Sequence, residues 1–141
     1  MSRGHRAVSH IAGIEVEAWA DTREECLAEA VRALVETITD VGDAVPDDCV
    51  VLVSAEEDDE TLLAAVLGEV IRQAEGRRVA VDVSVDERTK TTQGQIEVRL
   101  ATVTMADHLR TAPMAVAMYG LRFGRTAGAW RAHVNVEVRD T

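Results

Sequence analysis

The sequence predicts an α+β protein, a two-layer sandwich in which two helices pack on one face of a mostly antiparallel sheet. Two stretches, 22–39 and 61–75, repeat apolar residues at steps of three and four, as amphipathic helices do. Six other segments alternate apolar with polar residues or form short β-branched runs, which indicates strands. Laying both helices across one sheet face would bury every apolar stripe, so the sandwich satisfies these patterns together.

The first strand, 14–19, leads almost directly into the first helix. Its even positions are apolar and its odd positions are Glu15, Glu17 and Trp19, so the strand has one dry side. Trp19 is interpreted as a packing residue or as part of a contact surface, because it shares its side of the strand with the two glutamates. Asp21 then precedes Glu24 by three residues, the spacing of a capping box with Asp in the Ser/Thr place. We therefore expect Asp21 to cap the helix.

Beyond the first helix the expected order is loop, strand, helix and four strands. The acidic run 56–60 comes just before the second helix, where carboxylates interact favourably with the helix dipole or form a cation site. Gly76 ends that helix, and the Gly-rich link 124–128 indicates a hairpin turn. Residues 1–9 lack periodicity and are expected to form a flexible lead-in or an irregular edge segment. The strands of this part of the chain are expected at 49–54, 79–86, 95–100, 114–123 and 130–138, with a polar loop at 87–94.

Length and charge limit the function. With 141 residues, of which 47% are hydrophobic, the chain has the size and composition of one domain, 1–141. Its net charge of −10 disfavours direct nucleic-acid binding, which needs clustered Lys and Arg, and favours a protein partner. Aromatic residues, at 3%, are too few for base-stacking platforms. No apolar run approaches the length of a membrane span, so we expect a soluble cytoplasmic protein without membrane binding.

The sequence also lacks catalytic motifs. No serine lies in a Gly-x-Ser-x-Gly setting, and no Gly-rich phosphate loop with a following Lys is present. Cys26 and Cys49 lack metal-ligand spacing, so reduced packing thiols are expected. The four histidines form no His-x-x-x-His or His-x-His pair. Independent enzymatic activity is therefore not expected.

Two segments carry a resemblance to a known family. The first reads His-x-Ala-x-Ile, then Glu-Ala-Trp-x-Asp-Thr, then a Glu-rich helix that ends in Thr-Asp, and the second is 114–123, MAVAMYGLRF. Together they resemble archease proteins over nearly the whole chain, and the resemblance implies the same α+β architecture. The matching residues of the first segment are His10, Ala12, Ile14, Glu17, Ala18, Trp19, Asp21, Thr22, Glu24, Glu25, Thr39 and Asp40.

The archease resemblance implies an accessory protein or chaperone and not an enzyme. In that family a small acidic protein promotes the metal-dependent guanylylation of an RNA-splicing ligase, which serves tRNA splicing and RNA repair. The residues that the resemblance assigns to partner binding are His10, Trp19, Asp21 and Tyr119. Two of them have simpler explanations, because His10 is also consistent with a strand-edge histidine bonded to the backbone, and helix capping alone explains Asp21.

The cation site implied by the resemblance is mostly substituted here. Archease proteins are associated with a divalent cation, such as calcium, magnesium or manganese, and hard cations need several carboxylate oxygens. One family carboxylate falls on Gly13, and its counterpart in the last strand falls on Glu137, the remaining candidate metal ligand. The family's Lys falls on Met114 and its His falls on Tyr119. We therefore expect a degenerate metal site, with Glu137 alternatively a solvated strand residue.

Three functional hypotheses are compatible with the sequence. The first is an archease-like activator or chaperone of an RNA-splicing ligase. The second is a divergent module that kept the archease fold, lost the cation site and binds a different protein or a small ligand. The third, an independent small enzyme, has the least support, because the sequence contains no recognisable catalytic motif.

Overall fold

Two helices and seven strands make up the described part of a computed structural model, which covers residues 3–10, 13–38, 45–55, 59–75, 78–86, 95–104 and 114–139. Both helices and all strands of the sequence analysis are present, and one further strand precedes them. In chain order the elements are β1 (Gly4–His10), β2 (Gly13–Ala20), α1 (Arg23–Ile38), β3 (Asp48–Ala55), α2 (Asp59–Glu75), β4 (Arg78–Asp86), β5 (Gln95–Thr104), β6 (Met114–Thr126) and β7 (Ala129–Arg139).

The strands form two open antiparallel sheets. The first sheet has the order β1-β2-β7-β6 and the second has the order β3-β5-β4. Helix α1 contacts β1, β2 and β7 of the first sheet and β4 of the second, while α2 contacts β6 of the first sheet and β3 and β4 of the second. The predicted α+β class, with two helices on a mostly antiparallel sheet, is confirmed. The structure adds that the strands divide between two sheets, which the helices join.

Strand β2 supplies the dry face that its alternation predicts. Ile14, Val16, Ala18 and Ala20 are buried, whereas the residues between them are only partly covered. Helix α1 packs on this face, and Leu34 of α1 and Leu67 of α2 are both fully buried. These side chains belong to one buried hydrophobic cluster, to which both sheets and both helices contribute.

Helix α1 begins one residue later than the capping prediction placed it. The carbonyl of Thr22 accepts the first helical bond, from the amide of Cys26 at 3.0 Å, so Thr22 is the N-cap. The Glu25 amide donates to Thr22 Oγ1 at 3.1 Å, and the Thr22 hydroxyl donates to Glu25 Oε1 at 2.9 Å. The prediction of Asp21 as the cap is therefore wrong: Asp21 is exposed in the bend before the helix. Two acceptable pairs with the same spacing overlap here, and only backbone geometry decides between them.

Strand β1 replaces the expected lead-in, because Gly4–His10 pairs with β2 along its whole length. The sequence of β1 does not show the usual alternation of apolar and polar residues, because the side that faces α1 carries a polar residue, His5. Ion pairs hold that residue in place. Glu29 of α1 is 4% exposed and accepts from Arg3 Nη2 and from His5 Nδ1, each at 2.8 Å. His5 Nε2 also lies 2.9 Å from Glu36 Oε2. These contacts attach the edge strand to the first helix.

The same network shifts two pKa values in opposite directions. Burial favours the neutral forms of both groups, but the hydrogen bonds to His5 and Arg3 outweigh it and lower the pKa of Glu29. Burial likewise opposes the charge of His5, and its bonds to Glu29 and Glu36 outweigh it, so the pKa of His5 is raised above 6.5. Both shifts favour the charged pair that holds β1 on α1.

The predicted hairpin between the last two strands is confirmed, with longer strands and a shorter turn. Strand β6 continues to Thr126 and β7 begins at Ala129. The two linking residues, Ala127 and Gly128, have φ values of 53° and 81°. Positive φ at both central residues is the geometry of a type I′ turn, which matches the twist of paired strands.

Some sequence predictions fall outside the described residues. These are the loop 87–94, Gly76 as a helix stop and most of the acidic run 56–60, of which Asp59 and Glu60 lie in the first turn of α2. Within the described residues, neither helix is long and apolar enough to cross a membrane.

Candidate functional site

The candidate site is the outer face of the first sheet, the side turned away from the helices. Cross-strand register places its residues in rows that run from β1 through β2 and β7 to β6. One row is Arg6, Glu17, His133 and Arg122, and the next is Val8, Glu15, Asn135 and Tyr119. A third row is His10, Gly13, Glu137 and Ala117. Polar side chains therefore cover the middle of this face, and the row of Glu15 and Asn135 ends in an apolar or aromatic residue at each edge, Val8 and Tyr119.

Two glutamates and a histidine converge in the middle of the outer face. Glu17 pairs directly with His133 across β2 and β7, and Glu15 is the next outward residue along β2. Glu15 Oε2 lies 3.7 Å from His133 Nε2. One oxygen of each carboxylate and one ring nitrogen all lie within 4.8 Å of one another. Arg6 Nη2 donates to Glu17 Oε2 at 3.0 Å from the edge strand. We call Glu15, Glu17 and His133 the central triad.

An irregularity in β6 fixes the orientation of the His133 ring. The pairing of β6 with β7 shifts between Tyr119 and Arg122, and Gly120 has a φ of 65° there. This turns the Gly120 carbonyl toward His133, whose Nδ1 lies 3.1 Å from that oxygen. A carbonyl oxygen can only accept, so Nδ1 carries the proton and donates. The other ring nitrogen, Nε2, then presents its lone pair to Glu15 when the ring is neutral.

Glycine is favoured at the irregularity mainly by its backbone conformation. Its φ lies in the left-handed region that other residues rarely adopt. A Cβ on Gly120 would also lie 2.9 Å from the Asn135 side-chain nitrogen. The Asn135 side chain can move aside, so the main cost of another residue at position 120 is the strain of its positive φ.

The carboxylate pair implied by the archease resemblance does not fit this chain. Gly13 and Glu137 are direct cross-strand partners, so an acid at both positions would face across the sheet. A Cβ on Gly13, however, would lie 2.2 Å from the carbonyl oxygen of Val136. Position 13 thus lacks a carboxylate and also lacks space for one, and Glu137 is an exposed side chain without that partner.

The other predicted site residues separate into two groups. Tyr119 is 50% exposed on the outer face, and His10 pairs with Gly13 at the same end of the sheet, although its side chain is outside the described set. Trp19 lies at the opposite end of β2, and a Cβ on its partner Gly4 would lie 2.8 Å from the Trp19 ring. The ring therefore covers a glycine of the edge strand, as expected of a packing residue. Asp21 lies beyond that end of the strand and is exposed.

The central triad is not recognisable in the sequence. The strand pattern places Glu15 and Glu17 on one face, but His133 has no ligand-spaced histidine partner in the chain. The missing signal was the register of β2 against β7, which pairs Glu17 with His133. Period-two alternation determines the face of a residue and leaves its cross-strand neighbour undetermined.

The two cysteines differ in accessibility. Cys26 is buried in α1, and burial raises the pKa of its thiol to about 12, so it stays protonated near neutral pH. Cys49 at the start of β3 is exposed. Both thiols are free, as the sequence predicts, but the prediction that Cys49 is a packing residue is wrong, because its side chain is exposed.

The fold places this chain in a class of small α+β proteins with two helices packed on open, antiparallel sheets. The model of the archease protein family (MTH1598/TM1083) matches residues 5–138. The protein called "Probable protein archease" from two strains of Mycobacterium tuberculosis is 33% identical over 139 residues, which is 97% of this chain and 76% of the relative. This chain belongs to the archease family.

Solved structures support the same fold. Protein 1598 of Methanobacterium thermoautotrophicum matches with a TM-score of 0.69 at 18% identity, covering 95% of this chain and 98% of that one. An archease of Thermotoga maritima, described as a "possible chaperone", matches with a TM-score of 0.60 at 18% identity, covering 92% and 94% of the two chains. At these identities the likeness concerns the fold alone.

Proposed function

We propose that this chain is an accessory protein that binds an RNA-splicing ligase in the cytoplasm and catalyses no reaction of its own. Family membership supports the accessory role, and the outer face of the first sheet supplies the surface. The observation that carries the proposal is the pair of exposed apolar side chains at the edges of one row. Tyr119 is 50% exposed on β6, and Val8 is 44% exposed on β1.

The outer face combines features of a protein contact surface. The apolar side chains of Val8 and Tyr119 flank Glu15 and Asn135 in the same row. Tyrosine is enriched at the centres of protein interfaces, because its ring contributes a large apolar area and its hydroxyl can still hydrogen-bond. The chain carries a net charge of −10, which favours association with a basic partner such as an enzyme that binds RNA.

The substituted family site indicates which part of the family role is weakened. A cation held between positions 13 and 137 would need a carboxylate side chain at position 13. The Cβ of such a side chain would clash with the carbonyl oxygen of Val136. Binding of the ligase needs only the sheet surface, whereas promoting its guanylylation through that cation needs the missing carboxylate. This observation favours protein binding as the principal activity, with weak or no stimulation of guanylylation. It also keeps open a second candidate, a module of the same fold that binds a different protein.

A comparison of three single variants tests the surface. Tyr119→Ala and Val8→Ala each remove an exposed apolar side chain from the outer face, and Val51→Ala removes one from β3, where Val51 is 50% exposed. We expect Tyr119→Ala to weaken binding to the ligase of the same source by at least about tenfold, roughly 1.4 kcal/mol. Val8→Ala should weaken binding less, and Val51→Ala should leave it unchanged. Isothermal titration calorimetry with the purified ligase measures the three constants.

The outcomes separate the two candidate functions. Ligase binding that depends on Tyr119 supports the accessory role. Ligase binding that is equal in all three variants moves the contact surface away from the outer face. No binding by the unmodified chain at micromolar concentrations excludes the ligase as the partner and leaves the second candidate.

A further inference from the structure

We propose that the central triad, Glu15, Glu17 and His133, is a binding site for a first-row transition-metal dication such as Zn²⁺. The site is separate from Gly13 and Glu137, the positions of the family carboxylates. It occupies the next two rows of cross-strand pairs on the same sheet face. It is a property of this chain alone and does not depend on the proposed ligase partner.

The spacing of the triad suits a small metal ion. Donor atoms bound to four-coordinate Zn²⁺ at about 2.0–2.1 Å lie about 3.4 Å from one another. Glu15 Oε2 and His133 Nε2 are 3.7 Å apart, and the three donor atoms lie within 4.8 Å. The glutamate side chains have enough rotatable bonds to close a remaining gap of up to about 1.4 Å without backbone movement. Both glutamates stand on one strand and the histidine on its neighbour, so the register of the sheet holds the set together.

The hydrogen bond of His133 provides a second and independent indication. Histidines that bind metals usually donate their other ring N–H to a carbonyl or a carboxylate, which fixes the tautomer. Here His133 Nδ1 lies 3.1 Å from the Gly120 carbonyl oxygen, in a strand irregularity that positive φ at Gly120 makes possible. The lone pair of Nε2 and the Glu15 carboxylate therefore face each other, an arrangement that a proton or a metal cation between them stabilises.

Arg6 does not prevent binding. Its Nη2 donates to Glu17 Oε2 at 3.0 Å, and the guanidinium neutralises one of the two negative charges. A carboxylate has two oxygens, so Glu17 can bind a metal through one oxygen while the other accepts from Arg6. Hydrogen-bonded carboxylate ligands are common around metal sites. The Arg6 side chain is 62% exposed, so it can also move aside at little cost.

The donor types determine the class of ion. Imidazole nitrogen binds Zn²⁺, Cu²⁺, Ni²⁺ and Co²⁺ well, whereas Ca²⁺ and Mg²⁺ prefer sites made entirely of oxygen. Calcium also needs 6–8 oxygen ligands, more than this triad provides. Three protein ligands leave a coordination position open toward solvent, as in sites where Zn²⁺ binds a water or an external ligand.

Titration of the purified, chelator-treated full chain with ZnCl₂ tests the proposal by calorimetry, and Co²⁺ absorption reports the coordination geometry. We expect one saturable site for Zn²⁺ and no comparable heat for Ca²⁺ or Mg²⁺. His133→Asn and Glu15→Gln should each weaken Zn²⁺ binding by at least about tenfold, because loss even of a supporting group costs 10–100-fold.

A matched control comes from the second sheet. Glu97 of β5 is a strand glutamate that accepts from Arg99 Nη2 at 3.3 Å, as Glu17 accepts from Arg6. Glu97→Gln should leave Zn²⁺ binding unchanged, whereas Glu17→Gln should weaken it. Circular dichroism of the metal-free variants checks the fold, and the two glutamate variants decide the matter if His133→Asn is not folded. Zn²⁺ binding that is unchanged in both Glu15→Gln and Glu17→Gln would overturn the assignment.

Discussion

Restoring the family carboxylate at position 13 should destabilise this chain. A Cβ at Gly13 would lie 2.2 Å from the Val136 carbonyl oxygen, and the φ of 157° is one that side-chain-bearing residues rarely adopt. Normal contact needs at least about 3.2 Å, so the paired strands would have to separate by roughly 1 Å. Overpacking of this kind costs about 1–3 kcal/mol, and a rare backbone conformation costs about 1–3 kcal/mol more. We therefore expect Gly13→Asp to lower the free energy of unfolding by about 2–6 kcal/mol.

Denaturant and thermal melts measure this loss directly. At roughly 3 °C per kcal/mol for a chain of this size, the melting temperature should fall by about 6–18 °C. The matched control is Gly124→Asp, which also places an acid in the first sheet, because a Cβ on Gly124 meets nothing within 4 Å. We expect that variant to stay within about 0.5 kcal/mol of the parent. A Gly13→Asp protein as stable as the parent, or one that gains calcium binding, would show that this end of the sheet is compatible with the family site.

The remaining predictions concern the core, the edge strand, the thiols and the cation. Leu34→Ala should cost about 2–5 kcal/mol in denaturant melts, because the side chain is fully buried; a loss under about 0.5 kcal/mol would contradict the core assignment. The raised pKa of His5 adds stability below about pH 6.5 that is lost as pH rises through the folded-state value. The lowered pKa of Glu29 adds stability above about pH 4.5 that is lost as pH falls. The contribution of this pair to stability should therefore be highest between about pH 4.5 and pH 6.5. In melts at several pH values, His5→Gln should no longer lose stability as the pH rises above that range. Iodoacetamide should label the native protein at Cys49 and label Cys26 only after unfolding, as mass spectrometry would show. Millimolar calcium or magnesium should leave the melting temperature unchanged. A cation that bound the native protein, present at 100 times its Kd, would raise the free energy of unfolding by about 2.7 kcal/mol.

The fold could be predicted because apolar periodicity is strong in this chain. The stripes that include Leu34 and Leu67 identify both helices, and the alternation around Val16 identifies the first dry strand face. Strand β1 is not recognisable in the sequence because its inward residue His5 is polar, and the partners that compensate its burial, Glu29 and Glu36, lie on α1, far along the chain. Ion pairs between elements leave no periodic signal in the sequence.

The candidate site was only partly predictable. The family resemblance singles out Tyr119, His10 and Glu137, and the structure places these positions in neighbouring rows of one sheet. The interaction of His133 with Glu15 depends on strand register and on the irregularity at Gly120, which are tertiary features. The partition of the strands between two sheets is tertiary as well, because each strand alone shows only which of its sides is apolar.

We propose that this archease-family chain retains ligase binding and has lost the cation-dependent step. The most direct measurement mixes the purified chain with an RNA-splicing ligase of the same source, GTP and manganese, and follows covalent nucleotide on the ligase over multiple turnovers. A parallel binding measurement on the same samples shows whether the two proteins associate. We predict association with weak or no stimulation of guanylylation, because position 13 excludes the missing carboxylate. Stimulation comparable to that by a family member with intact motifs would contradict the account, as would the absence of any association.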